Sequence, residues 1–133
     1  MTSAARVMLA CLALTVACKQ QKPSVAPDPS TIRQQFGALY TDVLALLFKD
    51  DPVGINFKDN TDEYEPEVDT ILPRLSSCKN AGDVEKMVHE EFVRWFDRET
   101  AGTPERYRAV AKQIWERYRA TRVGVIAKPG GSR

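Results

Sequence analysis

From residue 30 onward, apolar side chains return every three or four positions and seldom every second one. Ile32, Phe36, Leu39, Tyr40, Val43, Leu44, Leu46 and Leu47 form one such stripe. That period predicts a core-facing helix from Ser30 to about Lys49. "DDPVGINFKDNTDE" ends it, with Pro52 and Gly54 in a long polar loop. Tyr64, Val68, Ile71, Leu72 and Leu75 predict a second helix, with Pro66 in its first turn and Pro73 kinking or shortening it. Val84, Met87, Val88, Phe92, Trp95 and Phe96 lie on one face of a third, opened by Asn80 and Asp83. After "TAGT", Thr103 and Pro104 open a fourth, whose inner side carries Tyr107, Val110, Ala111, Ile114, Trp115 and Tyr118 and which runs to about Arg122. There is no alternating run of strand length and no internal repeat. The expectation is an all-α fold: a small four-helix domain over 30–124, with a disordered tail at 125–133.

The N-terminus follows a different pattern. "VMLACLALTVA", residues 7 to 17, is an uncharged run of 11 behind Arg6. It is too short to span a bilayer, which takes about 20 residues, and it has the size of a signal-peptide apolar region. It leads directly into Cys18. Thr15-Val16-Ala17-Cys18 resembles the lipobox of bacterial lipoproteins, departing from it at Thr15, where Leu is usual. The resemblance implies that residues 1–17 are a cleaved signal and that Cys18 is lipidated. The mature chain is then held in the cell envelope by a lipid anchor, facing the periplasm. Lys19 after the cysteine implies the outer membrane in a Gram-negative host. Two other readings stay open: a plain secretory signal cleaved near Ala17, leaving Cys18 a free thiol, and a cytosolic chain with an apolar start. Residues 18–29 carry Pro23, Pro27 and Pro29 with no apolar period, as expected of a flexible spacer. Of three cysteines, Cys11 would leave with the signal and Cys18 would be acylated. Cys78 then remains alone, with no partner for a disulfide.

A second resemblance lies in the loop and the helix after it. Asp51, Pro52, Gly54 and Ile55, then Glu63, Tyr64, Glu67, Val68, Ile71 and Leu75, are similar to a pattern in small bacterial helical families of unknown function. It covers about residues 44 to 96 and implies a small helical fold without an agreed activity. Here the pattern is joined to an export signal and carries Pro66 and Pro73. Physically, Gly54 permits a tight turn, and Ile55 and Tyr64 are placed to anchor the loop on the core.

Candidate chemistry is sparse. Asp50, Asp51, Asn56, Asp59, Asn60, Asp62 and Glu63 offer hard oxygen donors. Counted from Asp59, however, Tyr64 and Thr70 stand where a calcium loop needs Gly and Glu. Capping and a solvated loop are the expectation, with no metal and no cofactor. His89 in "HEEF" has Val93 four residues on, where a zinc-binding helix needs a second histidine. Cys78 is expected to be a buried or unpaired thiol. Glu63 and Glu67 are four apart on one helical face, whereas glycoside hydrolysis needs two carboxylates flanking a cleft. No nucleophile motif or phosphate loop is present, and no enzymatic activity is expected.

Charge changes the picture more. Overall, 19 basic side chains face 18 acidic ones, which excludes a bulk attraction to nucleic acid. Locally, residues 42–91 hold 13 acidic and 5 basic groups, and residues 92–133 hold 4 and 10. The last helix carries Arg106, Arg108, Lys112, Arg117, Arg119 and Arg122 on or near its outer side. Either the acidic and basic segments complement each other internally, or a polarised surface steers a charged partner. Arg106, Lys112, Arg117 and Arg119 are the candidate binding residues. The expected function is a membrane-tethered, non-catalytic binding domain with an envelope protein as partner, of an inhibitor or immunity type. The alternatives are a structural or assembly component of the envelope and a small exported enzyme.

Overall fold

The computed structural model describes residues 28–57 and 61–126. The chain is all-α, and no strand occurs among the described residues. Among the described residues six helices follow in order: α1 (Pro29–Phe36), α2 (Ala38–Asp50), α3 (Glu65–Arg74), α4 (Ala81–Trp95), α5 (Arg98–Ala101) and α6 (Arg108–Ile126). Single 3-10 turns follow α3 at Leu75–Ser77 and precede α6 at Pro104–Tyr107.

Six helices stand where the pattern predicted four. The first predicted helix is divided at Gly37, which adopts φ 49° and ψ −120°. A residue with a Cβ avoids that conformation, and the helix stops there after the Gly37 N–H has donated to the Arg33 carbonyl at 2.9 Å. The apolar stripe continues across the break because both halves face the same core. The first helix begins at Pro29, one residue before the predicted start. Asp28 caps α1, its Oδ1 accepting the N–H of Ser30 at 2.9 Å. The extra short helix, α5, is a single turn capped by Asp97, whose carboxylate accepts the Thr100 N–H at 2.7 Å. At the other end α6 continues past Arg122 to Ile126, into the segment expected to be tail. Cys18 and residues 1–17, expected to be a signal, lie outside the described residues.

The starts of the second and third predicted helices fall where the sequence placed them, whereas at Thr103–Pro104 the chain makes a 3-10 turn and the α-helix begins only at Arg108. The Asn80 side chain accepts from the Asp83 N–H, and Asp83 in return accepts from the Lys79 N–H, each at 2.9 Å. Such a reciprocal cap satisfies donors that the first helical turn leaves orphaned. Pro73 lies in the last turn of α3, and the chain tightens into the 3-10 turn directly after Arg74.

α4 packs along α6, α6 also covers α2, and α3 lies against both α4 and α1. Val43, Leu47, Val68, Ile71, Leu72, Val84, Val88, Phe92, Val110 and Ile114 fill the space between them and are fully buried. Phe92 is central, with its ring 4.9 Å from Tyr107, 5.8 Å from Phe96 and 6.0 Å from Tyr64. Among the described residues two acidic side chains are buried, Glu67 and Glu91. Glu91 has no exposed side-chain area and is held by Arg74 and by Arg94, the latter at 3.2 Å. Arg74 also reaches Glu90 at 2.7 Å, so the ion pairs join α3 to α4. Among the described residues no helix is long and apolar enough to cross a membrane.

Candidate functional site

The loop after α2 is built on one carboxylate. Asp51 ends the helix in the left-handed region, φ 44° and ψ 56°, which Asp tolerates better than most residues. Its Oδ1 accepts the Asn56 N–H at 3.0 Å and the Tyr64 hydroxyl at 2.7 Å. Asn56 also donates through Nδ2 to the Phe48 carbonyl at 2.9 Å. Gly54 turns at φ 72°, and Tyr64 is fully buried beneath the loop. Burial, and next the hydrogen bond to Asp51, push the Tyr64 phenol far above its ordinary pKa, so it remains a donor. The oxygen-rich loop is thus partly spent on holding its own shape. Glu63 accepts the Phe57 N–H at 3.4 Å. Asp59 and Asn60 lie outside the described residues. Among the described residues, no group of three or more His, Cys, Asp and Glu side chains is arranged to hold a metal ion.

The basic residues singled out by sequence are not equivalent. The Arg106 guanidinium, on the surface, donates to the Pro52 carbonyl at 3.1 Å and the Thr100 carbonyl at 2.8 Å. It clips the Asp51 loop to α5 and lies over Gly102, where a Cβ would come within 2.7 Å of it. Arg117 pairs with Asp42 of α2 at 3.7 Å, and Arg108 pairs with Glu85 of α4 at 3.2 Å. The acidic and basic halves of the sequence therefore do meet internally at these points. Lys112 and Arg119 are exposed and have no ion-pair partner among the described residues. Seven residues apart on α6, they share one outer face.

The other sequence candidates have internal roles. Cys78 is buried, and burial pushes its thiol up from the ordinary value, the opposite of an activated nucleophile. His89 Nε2 lies 2.8 Å from the Gly102 carbonyl, and its ring rests 5.7 Å from Tyr107. Glu63 and Glu67 do not flank a cleft, because Glu67 is only 3% exposed. Its Oε2 is buried without a hydrogen-bond partner, and burial raises its carboxyl to about 6.

The feature that sequence reasoning missed is a groove. Predicted to join the core, Trp95 is instead 46% exposed. Its phase along α4 is correct, but it is the last residue of that helix and its side chain lies out over α3 rather than among the buried residues. The indole lies across α3, with Nε1–H donating to Thr70 Oγ1 at 3.1 Å. Thr70 in turn donates to the Glu67 carbonyl at 3.0 Å, which fixes the hydroxyl as an acceptor for the indole. Beside the ring runs an open groove of ≈ 480 Å³, lined by Pro29, Asp62, Glu65, Pro66, Asp69, Thr70 and Trp95. Three elements meet in it: the start of α1, the first half of α3 and the last residue of α4.

The polar lining of this groove is acidic. Glu65 is paired with Arg33, which also spreads over the Tyr40 ring, 4.9 Å from its centre. Burial raises the Asp69 carboxyl above the usual carboxylate range, partly offset by a hydrogen bond from the Tyr40 side chain. The other oxygen, Asp69 Oδ1, is buried and lacks a hydrogen-bond partner. None of the seven lining residues is basic. Two further open depressions are shallower in chemistry. One, of ≈ 420 Å³, continues past Pro29 along Ser30, Arg33 and Gln34. The other, of ≈ 240 Å³, lies on Thr41, Leu44, Ala45, Phe48 and Thr61.

Comparison of the chain with protein-family models, with curated proteins and with solved structures gives no match.

Proposed function

We propose that this protein is a membrane-tethered binding module whose helical domain contacts a partner in the cell envelope without catalysing a reaction. The tether is Cys18, acylated after removal of residues 1–17, with the Pro-rich segment as spacer. What carries the binding half of the reading is Trp95. A large aromatic ring left half exposed at the wall of a groove, and oriented by its own hydrogen bond, is a feature of contact surfaces. A single compact groove on a small domain suits an inhibitor or immunity-type protein that masks one target. The exposed pair Lys112 and Arg119 on α6 favours a second reading, an assembly component that touches more than one neighbour.

Two measurements test this. The first is the intact mass of the full-length product extracted from bacterial membranes, beside Cys18→Ser. A mass equal to the chain from Cys18 plus acyl groups, lost in the variant, supports the tether. A product that retains Met1 or an unmodified cysteine overturns it. The second replaces Pro66, at the groove, with a photo-crosslinking amino acid in the full chain in its membrane. One dominant adduct, absent when the crosslinker replaces Gln113 on the far helix, supports binding through the groove. Equal or no adducts from both positions overturn it.

A further inference from the structure

We infer that the groove beside Trp95 receives a lysine or arginine side chain from an extended segment of a partner protein. The inference rests on the binding-module reading above and names the chemistry of its site. Three observations carry it.

The first is charge. Asp62, Glu65 and Asp69 line the groove, and the cation that pairs with Glu65, Arg33, also lies over the Tyr40 ring. Two carboxylates therefore face the groove without an ion-pair partner among the described residues. A cation is the complementary charge, and its approach also steers encounter. The second is the ring. A cation within about 6 Å of an indole face is attracted by its quadrupole, and Trp is the best of the aromatic platforms. The relay from Trp95 through Thr70 to the Glu67 carbonyl sets the ring before a ligand arrives, so little rotamer freedom is lost on binding. The third is shape. Pro29 and Pro66 give the groove apolar walls, but it is open along its length. A free small amine would bury too little surface there, since small-ligand sites enclose about 70–90% of their ligand. A cationic side chain on a peptide brings its alkyl stem to the prolines and its backbone to the rim.

The test follows the indole N–H resonances of the full chain in non-ionic detergent, with Trp95 distinguished from Trp115 by Trp95→Phe. The probe is a capped Pro-Lys-Pro-Arg-Pro peptide, beside a Pro-Gln-Pro-Gln-Pro control. The expected result is a saturable shift of the Trp95 resonance with the cationic peptide alone. Affinity should fall about ten-fold in Asp62→Asn/Asp69→Asn and, read by anisotropy of a fluorescein-labelled form of the same peptide, about three-fold in Trp95→Leu. It should weaken steeply between 20 mM and 500 mM salt, values chosen to span the screening range. Equal binding of the neutral peptide, or no shift with either, overturns the inference, and it does so even where the Pro66 crosslink still captures a partner. A shift of Trp95 in the free Lys19→Gln/Lys22→Gln chain, with tighter peptide binding, also overturns it, because the occupant would then be the chain's own N-terminal segment.

Discussion

The hydroxyl of Tyr64 and the carboxylate of Asp51, 13 residues apart, meet at 2.7 Å, and on the same oxygen Asp51 receives the Asn56 N–H. This pair converts a polar, proline- and glycine-bearing stretch into a loop fixed to the core. Tyr64→Phe should keep the buried ring and lose the donor. The expected cost is about 1–2 kcal/mol in urea denaturation, with faster amide exchange at Gly54 and Asn56. Asp51→Ala should cost more, because it removes both hydrogen bonds and also places alanine in the left-handed region.

Glu67 gives stability a pH dependence of unusual sign. Burial raises its pKa from 4.5 to about 6, so the folded chain holds the proton more tightly than the unfolded one. Its stabilising contribution is fully present below pH 4.5, is lost as pH rises toward about 6, and is absent above that. Glu67→Gln should remove this slope and raise stability at pH 7.5 by up to about 2 kcal/mol. Paired melts of the two proteins from pH 4 to 8 check it. Curves that stay parallel across the range would contradict the assignment.

The buried Glu91 makes Arg74 costly to lose. Arg74→Met leaves the buried charge of Glu91 with only the exposed Arg94, at 3.2 Å, as its ion-pair partner among the described residues. Destabilisation of about 3 kcal/mol is expected. Arg74→Met combined with Glu91→Leu should recover most of it, because the pair contributes less than either orphaned half costs. Chemical denaturation of the two single variants and the double variant measures the coupling directly.

Gly37 tests the break between α1 and α2. A Cβ there would meet no atom within 4 Å, so any cost is conformational. Gly37→Ala should destabilise by about 1–3 kcal/mol, whereas D-alanine, introduced by chemical synthesis, should be tolerated. Equal stability of the two stereoisomers would show that the backbone is not confined to this conformation.

Much of the architecture is legible in local chemistry. Asn80 with Asp83, Pro66 in a first turn, Pro73 near an end, and Thr103 before Pro104 are signals confined to a few residues, and each marks a boundary in the folded chain. The division at Gly37 is not legible in that way. Glycine is also tolerated inside helices, and Phe36 and Leu39 continue the same stripe on either side. Periodicity also gave Trp95 the right direction but not its surroundings, since phase does not tell where the opposing layer stops. Glu67 and Glu91 lie on buried faces, a charge among apolar neighbours being the visible hint. The groove was out of reach, because Pro29, Asp69 and Trp95 belong to three helices and meet only through tertiary packing. The basic residues of the last helix read as one surface in the sequence, although Arg106 stands in the turn before α6 and is spent on two backbone carbonyls.

Pro29 is both the first helical residue and a wall of the groove. Cys18 lies 11 residues before it, and an extended chain covers at most about 3.3–3.6 Å per residue. A lipid on Cys18 would hold the groove within a shell roughly 40 Å deep over the bilayer. Confinement of that kind replaces a three-dimensional search with an almost intramolecular one, at effective concentrations of order millimolar for short flexible links. A site that is weak in free solution can then stay occupied on the membrane, and the length of the spacer becomes as much a determinant of occupancy as any side chain in the groove.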